Sequence, residues 1–391
     1  MSAAQGFLFF LLLLGLLAAL LRFFSQRAPA VPYQVVLAAA GVLLGLVPGL
    51  PLPRIGPELL LLAFVPGLVF EASLSLDLNE LRRRALPVTL LATVGVFVGV
   101  FVMAALLRFG LGFAWPSAFV LGAIVAATDP IAVVSVLRRL RAPGGLTAIL
   151  EGESLFNDGT GVAVFAAVLA SVVSGSPSLG DVAGRFLVLT LGGAAVGLVI
   201  GAASVLLLRR AQEAELEILV TLVVAYGSYL LADVLHASGV VAVVAAGIVV
   251  ARTLQGTQLH GFWRLVAFVL NAILFLLVGA ALPTHRLLAV AGIVIGGYVI
   301  MSLARAVAVY GVLAAVDLRA RSIPWAWRHM TVWGGLRGAL SVALALTVAE
   351  YPQIPGQVSV VAYGMVVLSL LVQGGLLLPV ADLLRLRSKA P

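Results

Sequence analysis

No cysteine occurs in the 391 residues, which excludes disulfides, thiolate nucleophiles and cysteine metal sites. Charge is also scarce: Asp, Glu, Lys and Arg make up 10% of the chain, against roughly 25% in an ordinary soluble domain. The only histidines, His236, His260, His285 and His329, fall in polar connections or at the edge of an apolar run, which argues against a haem or zinc centre within those runs. No stretch fits the phosphate-cradling pattern G-x-x-x-x-G-K-[ST], so a nucleotide cofactor and ATP-driven pumping are disfavoured. What remains is apolar. Hydrophobic residues make up 62% of the chain, and a membrane-crossing helix needs roughly 20 of them in succession. The composition predicts an all-α polytopic membrane protein with no sizeable soluble domain.

Apolar runs separated by charged or Pro/Gly-rich connections predict thirteen helices, at about 6–24, 31–50, 57–77, 86–107, 116–137, 146–173, 184–208, 216–234, 237–251, 262–282, 287–316, 326–349 and 357–384. The first run lacks a basic leader and exceeds a signal peptide's core in length, so it reads as a span. Basic residues collect in cytoplasmic loops. With the N-terminus outside, the inside connections hold 18 Lys and Arg and the outside ones only Arg54, Arg108, Arg185 and Arg286. The net charge of +8 therefore reads as a topology signal, with a cytoplasmic C-terminus, and nucleic-acid binding drops away. About seven residues follow the last helix, so no regulatory tail is expected.

An odd helix count divides as six, one and six, giving halves at about 6–173 and 216–384 around a linker helix at 184–208, all within one membrane domain spanning 1–391. The two halves enter from opposite sides. Inverted repeats of this kind place their site near the midplane, on helices broken at matching positions. Helix five carries Thr128-Asp129-Pro130 and helix twelve Gly334-Gly335-Leu336-Arg337-Gly338; both interruptions lie near mid-helix, where proline removes a backbone donor and glycine weakens the helix.

Seven ionisable residues lie within spans: Glu71, Asp129, Glu151, Glu153, Asp158, Arg305 and Arg337. Each costs roughly 2.5–3.5 kcal/mol at mid-bilayer on insertion scales, so each should be paired, hydrated or functional. Asp129, Asp158 and Arg337 fall near their helix midpoints; Glu71, Glu153 and Arg305 lie roughly 6–9 Å to the cytoplasmic side. Helix six holds the densest cluster, Glu151-Gly-Glu153-Ser154-Leu-Phe-Asn157-Asp158-Gly159. Ser154 and Asp158 share one face and Glu153 and Asn157 a neighbouring one. The first offers the hard oxygen ligands that a small cation accepts in place of water; the neighbouring face offers a carboxylate for an arginine. Asp129 reads as a helix cap before proline, with or without a place at the site. Arg337 cannot shed its proton and is expected to pair with Glu153 across the halves. Glu71 stands between second ligand and satisfied interhelical acid, and Glu151 and Arg305 stay unassigned. Gly193, Gly197 and Gly201 form a small-residue stripe for close helix packing.

These motifs, together with Phe70-Glu71-Ala72 and Gly334 through Ser341, resemble the sodium/proton exchanger branch of the monovalent cation:proton antiporters, the NhaP and NHE type, over essentially the whole chain. The resemblance implies the NhaA-like fold of thirteen helices with crossed broken helices five and twelve, an ion-carrying core beside a dimerisation domain, and a homodimer. It implies Asp158 as the carboxylate shared by Na+ and H+, with Ser154, Thr128, Asp129 and Glu71 around it, Asn157 orienting the site, and Glu153 with Arg337 as the structural ion pair. Li+ and K+ are the other candidate cations, and no cofactor is implied. Position 157 is Asn where the electrogenic branch has a second Asp, which points to electroneutral exchange; the expected lack of a tail departs from many eukaryotic relatives and points to a prokaryotic plasma membrane. Two other classes stay open on the residues alone: a sodium-coupled symporter of an organic solute, and an intramembrane hydrolase using Asp129 and Asp158 as a dyad.

Overall fold

The computed structural model describes residues 3–27, 31–47, 56–175, 178–210, 213–253, 257–281, 284–318 and 323–387. Arg54, Arg319, Arg321 and Lys389, which entered the loop charge bias, lie outside them, as do residues 48–50 of the second expected helix. All regular structure among the described residues is helical. Eight stretches there are long and apolar enough to cross a membrane, and five apolar helices are shorter. The chain is a multi-pass membrane protein.

Helices α1 (Ala3–Arg27) and α2 (Tyr33–Gly45) precede α3 (Pro57–Ala63) and α4 (Val65–Ser75). The last two form one stretch interrupted at Phe64, beside Pro66 in the first turn of α4, where the missing N–H breaks the ladder. Asp77 caps α5 (Leu78–Arg83) through the N–H groups of Asn79 and Glu80. Next, α6 (Ala85–Leu90) and α7 (Val96–Leu111) are joined without a gap by a π-helical turn at Leu91–Gly95. Gly112 ends α7 in the left-handed region at φ 73°, a conformation that glycine adopts freely.

The expected break in the fifth span appears between α8 (Trp115–Ile124) and α9 (Ile131–Arg139). After it run α10 (Gly144–Val173), α11 (Leu179–Leu208), α12 (Ala214–Val234), α13 (Gly239–Ala251), α14 (Thr257–Ala280), the short α15 (Thr284–Ala289) and α16 (Ala291–Asp317). The other break lies between α17 (Trp325–Trp333) and α18 (Ala339–Val348). The final stretch, expected as one helix over 357–384, is α19 (Gln357–Leu368), a π-helical turn at Ser369–Gly374, and α20 (Leu377–Leu383).

Burial sorts these helices. In the most apolar window of α10, 61% of residues are buried inside the protein, against 28% for α11 and 33% for α12, so α10 runs through the middle and the other two line the outside. Without a hydrophobic drive between helices in lipid, close packing rests on small residues. The stripe on α11 serves that purpose: a Cβ at Gly193 or Gly197 would strike the carbonyls of Ser238 or Ala242 on α13. Gly41 of α2 and Gly279 of α14 meet in the same way.

Candidate functional site

The two breaks touch. The Asp129 N–H donates to the Leu336 carbonyl across 2.8 Å, and a Cβ at Gly338 would fall 2.5 Å from that of Asp129. Only glycine admits so close an approach. Breaking a helix frees carbonyls on one side and N–H groups on the other, and each end carries partial charge. On the carbonyl side Arg337 answers: its Nη1 donates to Ala126 at 2.9 Å and Ala127 at 3.2 Å, just past the C-terminus of α8. On the N–H side stands Asp129, whose Oδ1 accepts from Ile131 N at 2.9 Å at the start of α9. Its Cβ lies beside Gly338, the N-cap of α18, so the carboxyl stands near two helix N-termini.

Arg337 therefore does not make the expected pair with Glu153. That carboxylate is taken by Arg305 of α16, with Nη1 at 2.5 Å and Nη2 at 2.7 Å. The two-pronged fit matches guanidinium to carboxylate geometry. Arg305 also donates to the Thr331 carbonyl at 3.1 Å, tying α10 and α16 to α17. Gly335 leaves room for this arginine, since a Cβ there would lie 2.7 Å from its Nε. The physical reason for the exchange of partners is that the carbonyls freed at the first break already occupy Arg337. Arg305 and Glu153 lie at similar depth in the sequence, a signal that could have identified the pair.

Asn157 is fully buried and works in both directions. Its Oδ1 accepts from Thr128 N at 3.0 Å, while its Nδ2 donates to Thr128 Oγ1 at 2.7 Å and to Glu153 Oε1 at 3.2 Å. It thereby holds the unwound segment against α10. Ser154, at 1% exposure, donates to the Thr128 carbonyl and faces this contact rather than open space. Thr160, one turn beyond Asn157, donates to Ala92 O at 2.5 Å in the π-helical turn.

Beside this packed region lies a cavity of about 570 Å³, bounded by α2, α4, α9, α10, α14 and α18. Thr128, Asp129 and Asp158 line it. Among the described residues the Asp158 carboxylate has no hydrogen bond or ion pair, and its charged neighbours are Asp129 and Glu153. Glu71 lines the same cavity but sits elsewhere in it, accepting from Ser75 Oγ at 2.7 Å among Arg138, Arg264 and Glu151. Glu151, unassigned from sequence, pairs with Arg138 at 2.6 Å. With the Arg138 side chain 59% exposed, this end is the mouth. The structure thus brings together Asp158, Asp129, Thr128, Asn157 and Ser154, and leaves Glu71 nearer the entrance.

Known proteins resemble the chain over most of its length. The family model described as "Sodium/hydrogen exchanger, transmembrane" matches residues 9–383. The chain is 33% identical over 363 residues to the Na(+)/H(+) antiporter ApNhaP of Aphanothece halophytica, covering 90% of this chain and 68% of that one. With the Na(+)/H(+) antiporter NhaP of Pseudomonas aeruginosa it shares 35% over 336 residues, or 81% and 79% of the two chains. The solved structure of the sodium proton antiporter MjNhaP1 from Methanocaldococcus jannaschii at pH 8 superposes with a TM-score of 0.78 at 19% identity, covering 99% of both chains.

Proposed function

Since the chain belongs to the sodium/hydrogen exchanger family, a family of membrane transporters rather than enzymes, we propose that it is a secondary antiporter exchanging Na+ for H+ through Asp158. The observation that carries this reading is an acid at the centre of the membrane domain, facing a cavity, with no partner among the described residues. Such a charge is costly unless something occupies it. A proton and a dehydrated cation are the two occupants its chemistry accepts, and they exclude each other. If the transport unit crosses only when Asp158 is occupied, the gradient of one ion drives the other.

In this reading Thr128, Asp129 and Ser154 belong to the Na+ site, with Thr128 and Asp129 already on the cavity wall. Ser154 joins by turning its hydroxyl from the Thr128 carbonyl. Asn157 fixes Thr128 in place, and Glu71 receives the cation near the entrance. Only one carboxylate stands at the 157–158 pair, so one proton balances one cation and exchange is electroneutral. The five shorter apolar helices beside the eight longer ones support a reading of thirteen spans in an inverted-repeat arrangement, with the N-terminus outside, the C-terminus in the cytoplasm and the cavity mouth at Arg138 facing inward. The exposed apolar faces of α11 and α12 suit lipid and the contact of a homodimer. A prokaryotic plasma membrane is the setting.

The test is fluorescence dequenching in proteoliposomes holding a proton gradient, with Na+, Li+ and K+ added in turn and with or without a membrane potential. Antiport predicts proton release on adding cation alone, with a rate indifferent to the potential. Release that needs an organic solute would indicate a symporter. A rate that follows the potential would end the one-for-one count.

A further inference from the structure

Most polar side chains on the cavity wall are already bonded within the protein. Tyr33 donates to the Ala18 carbonyl, Ser75 to Glu71 and Ser135 to the Ala132 carbonyl. Thr128 is held by Asn157, and Arg138 holds Glu151. Three groups lack such partners among the described residues. Asp158 is one; the others are the carboxamides of Gln34 on α2 and Asn271 on α14. The Gln34 Oε1 is buried without any hydrogen-bond partner, an arrangement that costs free energy unless the oxygen finds a donor or a cation.

Their placement is not random. Helices α2 and α14 run side by side in parallel, with Tyr33 stacked on Phe268 at 5.8 Å and Gly41 against Gly279 further along. Gln34 therefore lies near the level of Asn271. On α14 the cavity-lining residues between Arg264 and Leu274 are otherwise apolar. Seven residues separate Arg264, at the mouth, from Asn271, or about 10 Å along the helix. The carboxamides stand within an apolar stretch of wall belonging to a different set of helices from the one that carries Asp158.

We infer that Gln34 and Asn271 form a neutral cation station on the α2 and α14 part of the cavity wall, supplying amide oxygens to a partly dehydrated monovalent cation on its way between the mouth and Asp158. Amide carbonyls are hard ligands that replace water without adding charge, so the station assists passage without altering the one-for-one count. Both carboxamides stand on a helix pair held in close contact by Gly41 and Gly279, and the station helps rank cations by size. The inference rests on the antiport reading above.

The experiment uses the full-length protein in proteoliposomes, with Na+, Li+ and K+ as probes. Gln34→Leu and Asn271→Leu are each expected to raise KM for Na+ by about three- to tenfold, as for the loss of one polar contact, with Vmax within about twofold of the parent. The order of preference among the three cations should change as well. Asn271→Asp supplies a charged oxygen and should lower KM, a gain that a merely structural role does not produce. Unchanged KM and cation order in both leucine variants, or a fall in Vmax at unchanged KM, overturns the inference. Failure of the unaltered protein to exchange at all would sink the antiport reading instead.

Discussion

Glu153, Asn157 and Thr160 stand on one face of α10, while Glu151, Leu155 and Asp158 stand on another. On the first face every polar group is engaged: Glu153 holds Arg305, Asn157 bridges Glu153 and Thr128, and Thr160 reaches Ala92. The other face opens onto the cavity, and there Asp158 has no protein partner among the described residues. Two acids five positions apart thus have opposite relations to their surroundings. Glu153 is committed to holding the broken helices in place; Asp158 is left open to the cavity. Chemical type does not separate them, whereas the presence of an arginine within reach does.

The sharpest way to break this comparison is to neutralise each acid. Asp158→Asn should abolish cation-dependent proton release in proteoliposomes while the protein still elutes as a folded species with an unchanged melting temperature. Residual exchange at parent rates would mean that the open face is not where the ions act. Next in size is Arg305→Ala, which strands Glu153 in the interior; breaking a buried pair costs about 3–5 kcal/mol, read as a marked fall in thermal stability. Arg337→Ala should fall in the same range, since it removes two charge-assisted bonds to carbonyls, about 1.5–3 kcal/mol each. A double-mutant cycle should show Glu153 coupled more strongly to Arg305 than to Arg337. Arg138→Ala should do least: its pair with Glu151 is largely exposed on the arginine side, and such pairs contribute about 0–1 kcal/mol. A larger loss of stability there than at Arg305 would reverse the ordering of the two faces.

Much of this is legible in the residues alone, and the reasons are specific. Both breaks are legible because Pro130 and the glycines around Arg337 violate helix preferences in local, residue-level ways. Asp158 stands out because an acid at mid-span needs an explanation. Partner choice is less legible, because it depends on which helix lies alongside. Arg337 matches Glu153 by motif, yet Arg305 matches it by depth, and depth decides. Helical spacing places Ser154 with Asp158; its position at the edge of that face lets it turn to the Thr128 carbonyl instead. The π-helical turns at Leu91–Gly95 and Ser369–Gly374 leave no local signature, since their residues suit an ordinary helix equally well. Nor does sequence single out Gln34 and Asn271, whose carboxamides matter only once two distant helices are packed together.

The bond from Asp129 to Leu336 joins the chain's two unwound stretches, the places where a lipid-embedded backbone should be most prone to come apart. Each lends the other what its own coil withdrew, so the two stretches are tied together at their weakest points. The crossed segments are thereby stitched to one another, and looser packing has to be sought at the seams around them.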